Sequence, residues 1–174
     1  GTVIPIELLA QGTLGEHDCY VPAGWTFLGG DRQTPNSLPR MRVWLDGFVI
    51  QKFAVTNEDY LLFLNDLLDQ NLNEQALVHV PREQSSTEKG LGAMAYERSQ
   101  DGQFSLPKSS DRLLCLKRQP VTMIQWRSAR AYAAWLADKT DLPWSLPMEF
   151  EWEKAARGVD GRLFPWGNRH DPSW

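Results

Sequence analysis

The chain has 174 residues, enough for one domain with a sizeable core and hardly for two. Its net charge is −4 with no long basic run, which argues against a phosphate-neutralising surface and against nucleic acid as a partner. Eight Trp, seven Phe and four Tyr speak against disorder throughout, and no apolar run reaches the ~20 residues that a bilayer span needs.

Residues 1–18 read as an N-terminal arm. Val3 to Ala10 is too short and interrupted for a signal peptide, and no basic region precedes it. Cys19 to Gly24 reads as a short strand ending in a turn, and Trp25 to Leu28 as a second apolar run stopped by Gly29-Gly30-Asp31. The polar stretch from Asp31 to Pro39 is a loop. Met41, Val43 and Leu45 alternate with Arg42 and Trp44, the two-residue period of a strand. Asp46-Gly47 then separates this run from Phe48-Val49-Ile50, and a hairpin is expected there.

Thr56 is a good N-cap, and Asp59 at the third helical position can stand in for the Glu or Gln of a capping box. Tyr60, Phe63, Leu64, Leu67 and Leu68 share one face, so a helix is expected over about 57–69. Residues 82–112 are rich in Ser, Glu, Lys and Gly and read as a long surface insertion, with a second hairpin around Asp101-Gly102. Pro120 to Ile124 is expected as a short buried strand. A helix capped by Ser128 follows, with Ala129, Tyr132, Ala133 and Leu136 on its apolar face. A third helix starts near Pro147 and stops at Gly158.

Candidate site residues are few. Cys19 and Cys115, the two cysteines, make no disulfide framework and nothing indicates an oxidising compartment. They are expected as semi-buried thiols of a cytoplasmic protein. His17, His79 and His170 lack the close spacing of metal ligands and read as surface or loop residues. Glu149, Glu151 and Glu153 point in different directions on a helix, which favours capping and structural hydrogen bonds over catalysis. Trp126, Trp152 and Trp166 are expected in the packing, and Lys117, Arg118, Arg127 and Arg130 on a solvated face. No catalytic, cofactor-binding or metal-ligating residue is assigned.

Three blocks, in this order, carry a resemblance. The first is Leu45-Asp46-Gly47-Phe48 through Val55-Thr56-Asn57-Glu58-Asp59-Tyr60 to Leu64. The second is Pro120-Val121 through Trp126 to Leu136. The third is Leu146-Pro147-Met148-Glu149-Phe150-Glu151-Trp152-Glu153-Lys154-Ala155-Ala156-Arg157-Gly158, closed by Asp160-Gly161-Arg162 and Pro165-Trp166-Gly167-Asn168. Together with Tyr20 to Gly24, they resemble the formylglycine-generating enzyme (sulfatase-modifying factor) family over about 19–168. The third block departs from the usual Arg-Leu-Pro-Thr-Glu opening: Ser145 and Met148 stand in place of Arg and Thr.

The resemblance implies an α+β, C-type-lectin-like fold with two to three helices, a small antiparallel sheet and much irregular chain. It also implies that 19–174 is the N-terminal portion of a domain that is incomplete without a C-terminal half. In the family that half carries the calcium loops and the cysteine pair that holds copper in the oxidases. Neither Cys19 nor Cys115 matches the pair's positions, so no cofactor is expected in this chain. Calcium belongs to the C-terminal half, and copper enters only if the protein is an oxidase. The expected function is a non-catalytic module recognising a protein or a small ligand. The block from Glu153 to Arg162, with Pro143-Trp144 and Asp171 to Trp174, especially resembles copies fused to bacterial serine/threonine protein kinases. The alternatives are an oxidase that turns a substrate cysteine into formylglycine, and the scaffold of a retroelement-diversified binding protein.

Overall fold

The structure, a computed structural model, describes residues 10, 12–31, 35–83, 92–107 and 113–170, and only the backbone of 113–115. The chain forms two compact units: Gly1–Phe53 with Pro147–Trp174, and Ala54–Leu146. Their elements are mixed α and β, with five helices among the described residues and three small antiparallel pairs.

The first unit is built on a two-stranded ribbon. Strand β1 (Asp18–Val21) pairs with β4 (Phe48–Gln51), and β2 (Gly24–Leu28) pairs with β3 (Met41–Leu45). Both ladders keep a single register, with Val21 opposite Phe48 and Gly24 opposite Leu45. In that register Pro22 and Ala23 face Gly47 and Asp46, where the pairing lapses. Pro22 has no N–H to donate.

The hairpin expected at Asp46-Gly47 is therefore corrected: β3 and β4 do not pair with each other. The favoured two-residue hairpin turns need positive φ at one or both turn residues, and neither Asp46 nor Gly47 has it. Gly47 is needed for room instead, since a Cβ there would lie 2.6 Å from the Tyr20 hydroxyl oxygen. The reversal occurs through the longer loop after Leu28. Its neck is closed by Gly30 N–H donating to Leu38 C=O at 2.8 Å, with Gly29 and Gly30 both at positive φ. Helix α5 (Glu149–Arg157) packs on β2, against the face that holds Thr26 and Leu28, both buried.

The second unit is helical. Helix α1 spans Asn57–Asp69, as its periodicity predicts, and both bonds of the capping box form between Thr56 and Asp59. Its C-terminus closes on Asn71 in the left-handed region, at φ 62°. Leu72 N–H reaches Leu67 C=O and Asn71 N–H reaches Leu68 C=O, the paired bonds of a Schellman motif. Two short helices, α2 (Asn73–His79) and α3 (Leu113–Arg118), raise the count beyond the two or three expected. Each is too short for a sequence period to mark it.

Helix α4 runs Trp126–Thr140. Its N-cap is Gln125, and Ser128 lies inside the first turn and is buried. Residues 120–124 form no strand: they make a single bridge, Thr56 to Pro120, and Met123 turns away at φ 58°.

The core of this unit gathers Tyr60, Phe63, Leu64 and Leu67 of α1 with Ala76, Val80 and Tyr132. Tyr96, Phe104 and Leu106 join it. Part of the expected surface insertion at 82–112 is thus core, held where β5 (Glu97–Arg98) pairs with β6 (Phe104–Ser105) around Asp101-Gly102. Asn65 fixes the pair to α1, donating to Phe104 C=O and accepting from Phe104 N–H at 3.0 and 2.7 Å. Each large side chain so buried contributes about 1.5–3 kcal/mol, which outweighs the polar composition around them.

Candidate functional site

The densest polar arrangement in the first unit lies on α5. Glu151 reaches back to cap Met148 N–H at 2.7 Å. Glu153 accepts from Gly29 N–H at 2.8 Å and pairs with Arg157 one turn on. Arg157 also donates to the carbonyls of Gly29, Gly161 and Arg162. Lys154, buried, donates to Pro22 C=O at 2.7 Å and Gly24 C=O at 3.4 Å, beside the break in the ribbon. Burial holds its ammonium below the usual lysine pKa. Thr26 Oγ1 donates to Gly158 C=O at 3.2 Å. Alternate polar residues of the motif thus hold backbone, the structural role expected for the glutamates. Glu149 is exposed and shares none of these bonds.

The chain then turns through Asp160-Gly161-Arg162. Arg162 grips both carboxylate oxygens of Asp160 at 2.9 and 3.0 Å, which lowers the Asp160 pKa. Phe164 and Gly167 exchange both backbone bonds around Pro165-Trp166, and Asn168 Oδ1 accepts from Leu163 N–H at 2.9 Å. The Phe164 and Trp166 rings stack 5.2 Å apart. These bonds fix the loop, and Trp166 is exposed on it, not in the packing as expected. Trp152 and Trp126 are exposed too, at 62% and 60%, which corrects the expectation that they pack inside. Met148 stands 73% exposed one turn before Trp152 on the same side of α5.

In the second unit, Trp126 lies at the start of α4, with Arg127 and Arg130 against its ring at 5.8 and 5.4 Å. With Ala131 and Ala134 they line a shallow open groove. His79 ends α2 half-buried, not on a loop, and its Nδ1 lies 3.1 Å from Ser128 Oγ. Its backbone carbonyl accepts from the Tyr60 hydroxyl at 2.9 Å. Burial lowers the His79 pKa and raises those of Tyr60 and Tyr132, the latter to about 12. A His–Ser contact can activate a nucleophile. Here Ser128 is 3% exposed inside the core, so the contact holds α2 to α4.

Cys19 is exposed on β1 and not semi-buried, while the Cys115 side chain lies outside the described residues. His17 stacks edge-on with Phe53, and His170 with Phe164. Among the described residues no three of His, Cys, Asp and Glu cluster as metal ligands. No described helix is long and apolar enough to cross a membrane. The exposed surfaces include Trp126, Trp152 and Trp166, with arginines against the Trp126 ring. Their exposure had no signal in the sequence, where a Trp reads the same inside or out.

Helices and small antiparallel pairs, with the α5 motif holding the ribbon, define a mixed α and β architecture. The chain belongs to the sulfatase-modifying factor enzyme 1-like domain family, whose profile matches residues 9–174. It is 30% identical over 180 aligned residues to an uncharacterized protein, YfmG, of Bacillus subtilis, covering 98% of this chain and 32% of that protein. It is 30% identical over 171 residues to the formylglycine-generating enzyme of Mus musculus, 87% of this chain and 43% of that enzyme. A serine/threonine-protein kinase, Pkn1, of Chlamydia trachomatis is 28% identical over 148 residues, 83% of this chain and 20% of the kinase. The chain thus spans less than half the length of each of these relatives.

Proposed function

We propose that this chain is the N-terminal portion of a C-type-lectin-like domain of this family, acting as a non-catalytic recognition module. It is completed by a C-terminal half and belongs to a larger bacterial, cytoplasmic signalling protein such as a serine/threonine kinase. The observation that carries the reading is the engagement of the motif. Glu151, Glu153, Lys154 and Arg157 are all occupied with backbone or with one another. Exposed Met148, Trp152 and Trp166 support a further segment that covers them. The similarity to a kinase supports the signalling setting. Calcium, on this reading, belongs to the completing half.

A second reading is favoured by the mouse relative: a copper-dependent oxidase that makes formylglycine, with its active site in the C-terminal half. The two readings part on one assay. The full polypeptide, with its C-terminal half, is incubated with a Cys-x-Pro-x-Arg peptide, copper and a reductant. The recognition reading expects no aldehyde above a protein-free control, and aldehyde above that control refutes it.

A further inference from the structure

One face of the β2–β3 ribbon packs on α5, and the other carries a ladder of rings and guanidinium groups. Trp25 and Trp44 are direct cross-strand partners, with ring centroids 5.7 Å apart, edge to face. Arg42 Cζ sits 4.6 Å from the Trp25 ring centre, and Arg40 Cζ sits 4.4 Å from that of Phe27. The register explains both contacts. Phe27 faces Arg42 and Trp25 faces Trp44, so each arginine leans to the diagonal ring of the neighbouring strand.

Stacking occupies the flat faces of a guanidinium and leaves its N–H edges free for a carboxylate. Both arginines are exposed, and neither forms an ion pair among the described residues. The nearby carboxylates are engaged elsewhere. Asp160, in the turn beside Arg40, is gripped by Arg162, and Asp46 accepts from Trp44 Nε1 at 3.3 Å. In a chain of net charge −4, this is a preorganised cationic strip whose in-plane donors have no ion-pair partner among the described residues.

Arg40 and Arg42 lie two residues apart on extended backbone, and Trp44 lies two further on. The step is about 6.5 Å, the spacing of alternate side chains along an extended peptide. We propose that this face docks an extended acidic segment of a partner protein with the pattern acidic-x-acidic-x-apolar. The two carboxylates meet Arg40 and Arg42, and the apolar side chain meets the Trp25–Trp44 pair. This rests on the recognition reading and names the partner's chemistry.

The test is fluorescence anisotropy of a labelled peptide containing Glu-Thr-Glu-Thr-Leu, titrated with the full polypeptide. Saturable binding that weakens with salt is expected, together with little binding of the Gln-Thr-Gln-Thr-Leu counterpart. Arg40→Gln and Arg42→Gln should each weaken binding about tenfold, and Arg42→Lys should weaken it too, because an ammonium lacks the fork. Arg118→Gln removes the same charge at an exposed position elsewhere and should leave binding unchanged. Three results overturn the site: no saturation at low salt, an equal loss in Arg118→Gln, or tighter binding of an oligo-dT strand than of the peptide. If Arg42→Gln fails to fold by circular dichroism, Arg42→Lys decides. Failure here without aldehyde in the oxidase assay sinks this site alone and leaves the recognition reading in place.

Discussion

Replacing Glu153 with Ala removes one acceptor from two donors at once. The carboxylate receives Gly29 N–H at 2.8 Å and the Arg157 guanidinium, and both side chains are mostly enclosed, at 17% and 14% exposed. Arg157 keeps its carbonyl partners at Gly29, Gly161 and Arg162, so its charge is not stranded. Gly29 N–H has no such recourse. A hydrogen bond to a charged group contributes about 1.5–3 kcal/mol, and breaking a fully buried ion pair costs about 3–5 kcal/mol. With the residual exposure and the surviving carbonyl bonds, about 2–3 kcal/mol is expected. At 1.4 kcal/mol per tenfold, the Gly29 amide should exchange about 30- to 140-fold faster, if opening of this bond gates its exchange. Hydrogen exchange read by mass spectrometry on the full polypeptide measures this, with a peptide from α1 as the internal standard. Glu153→Gln keeps an acceptor and should fall between the wild type and the alanine variant. Exchange at Gly29 within twofold of wild type in Glu153→Ala would refute the staple.

Phe63→Ala should destabilise the second unit by about 3–5 kcal/mol in chemical denaturation, because Phe63 is 2% exposed among the rings of Tyr60, His79, Tyr132 and Trp135. His79 has its pKa lowered from 6.5 by burial, so below that pH the unfolded chain takes up a proton that the folded chain resists. Stability should fall as pH drops below 6.5 and level off once the folded form protonates; His79→Gln should flatten that slope in melts at stepped pH. Lys154→Met keeps the stem but removes the donor to Pro22 and Gly24, for a loss of about 1–3 kcal/mol seen as faster exchange across β2. Gly161→Ala places a methyl 3.0 Å from Phe27 Cβ at φ 71° and should lower the melting temperature, whereas Gly12→Ala, at φ 86° with open space around it, carries the backbone strain alone.

Where a local rule and the tertiary packing agree, the elements could be read from the residues. Thr56, Asp59 and the Tyr60–Leu67 face marked α1 to the residue, because cap and periodicity act within the element itself. The Asp46-Gly47 signal is equally local, yet a ribbon that sets Val21 opposite Phe48 and Gly24 opposite Leu45 overrules it. Tyr96, Phe104 and Leu106 were hidden in a stretch whose composition averages to polar. Ser128 is a good cap by type, but His79 and the core claim it from the far side. The glutamates of α5 were legible as structural from their spacing, while their targets at Gly29 and Met148 N–H were not. The aromatic ladder of Trp25, Phe27 and Trp44 had no signal at all, since it exists only through the pairing of β2 with β3.

That pairing also decides where this chain can change length. The ribbon's two ladders share one register across the gap at Pro22-Ala23, and Lys154 is seated there on the carbonyls of Pro22 and Gly24. One residue inserted at the gap would swap the two faces of β1 and unseat the lysine. The neck that Gly30 and Leu38 close lies outside both ladders. It is the natural port for grafts: a peptide tag or a partner-binding loop spliced between Asp31 and Ser37 leaves the ribbon's register intact.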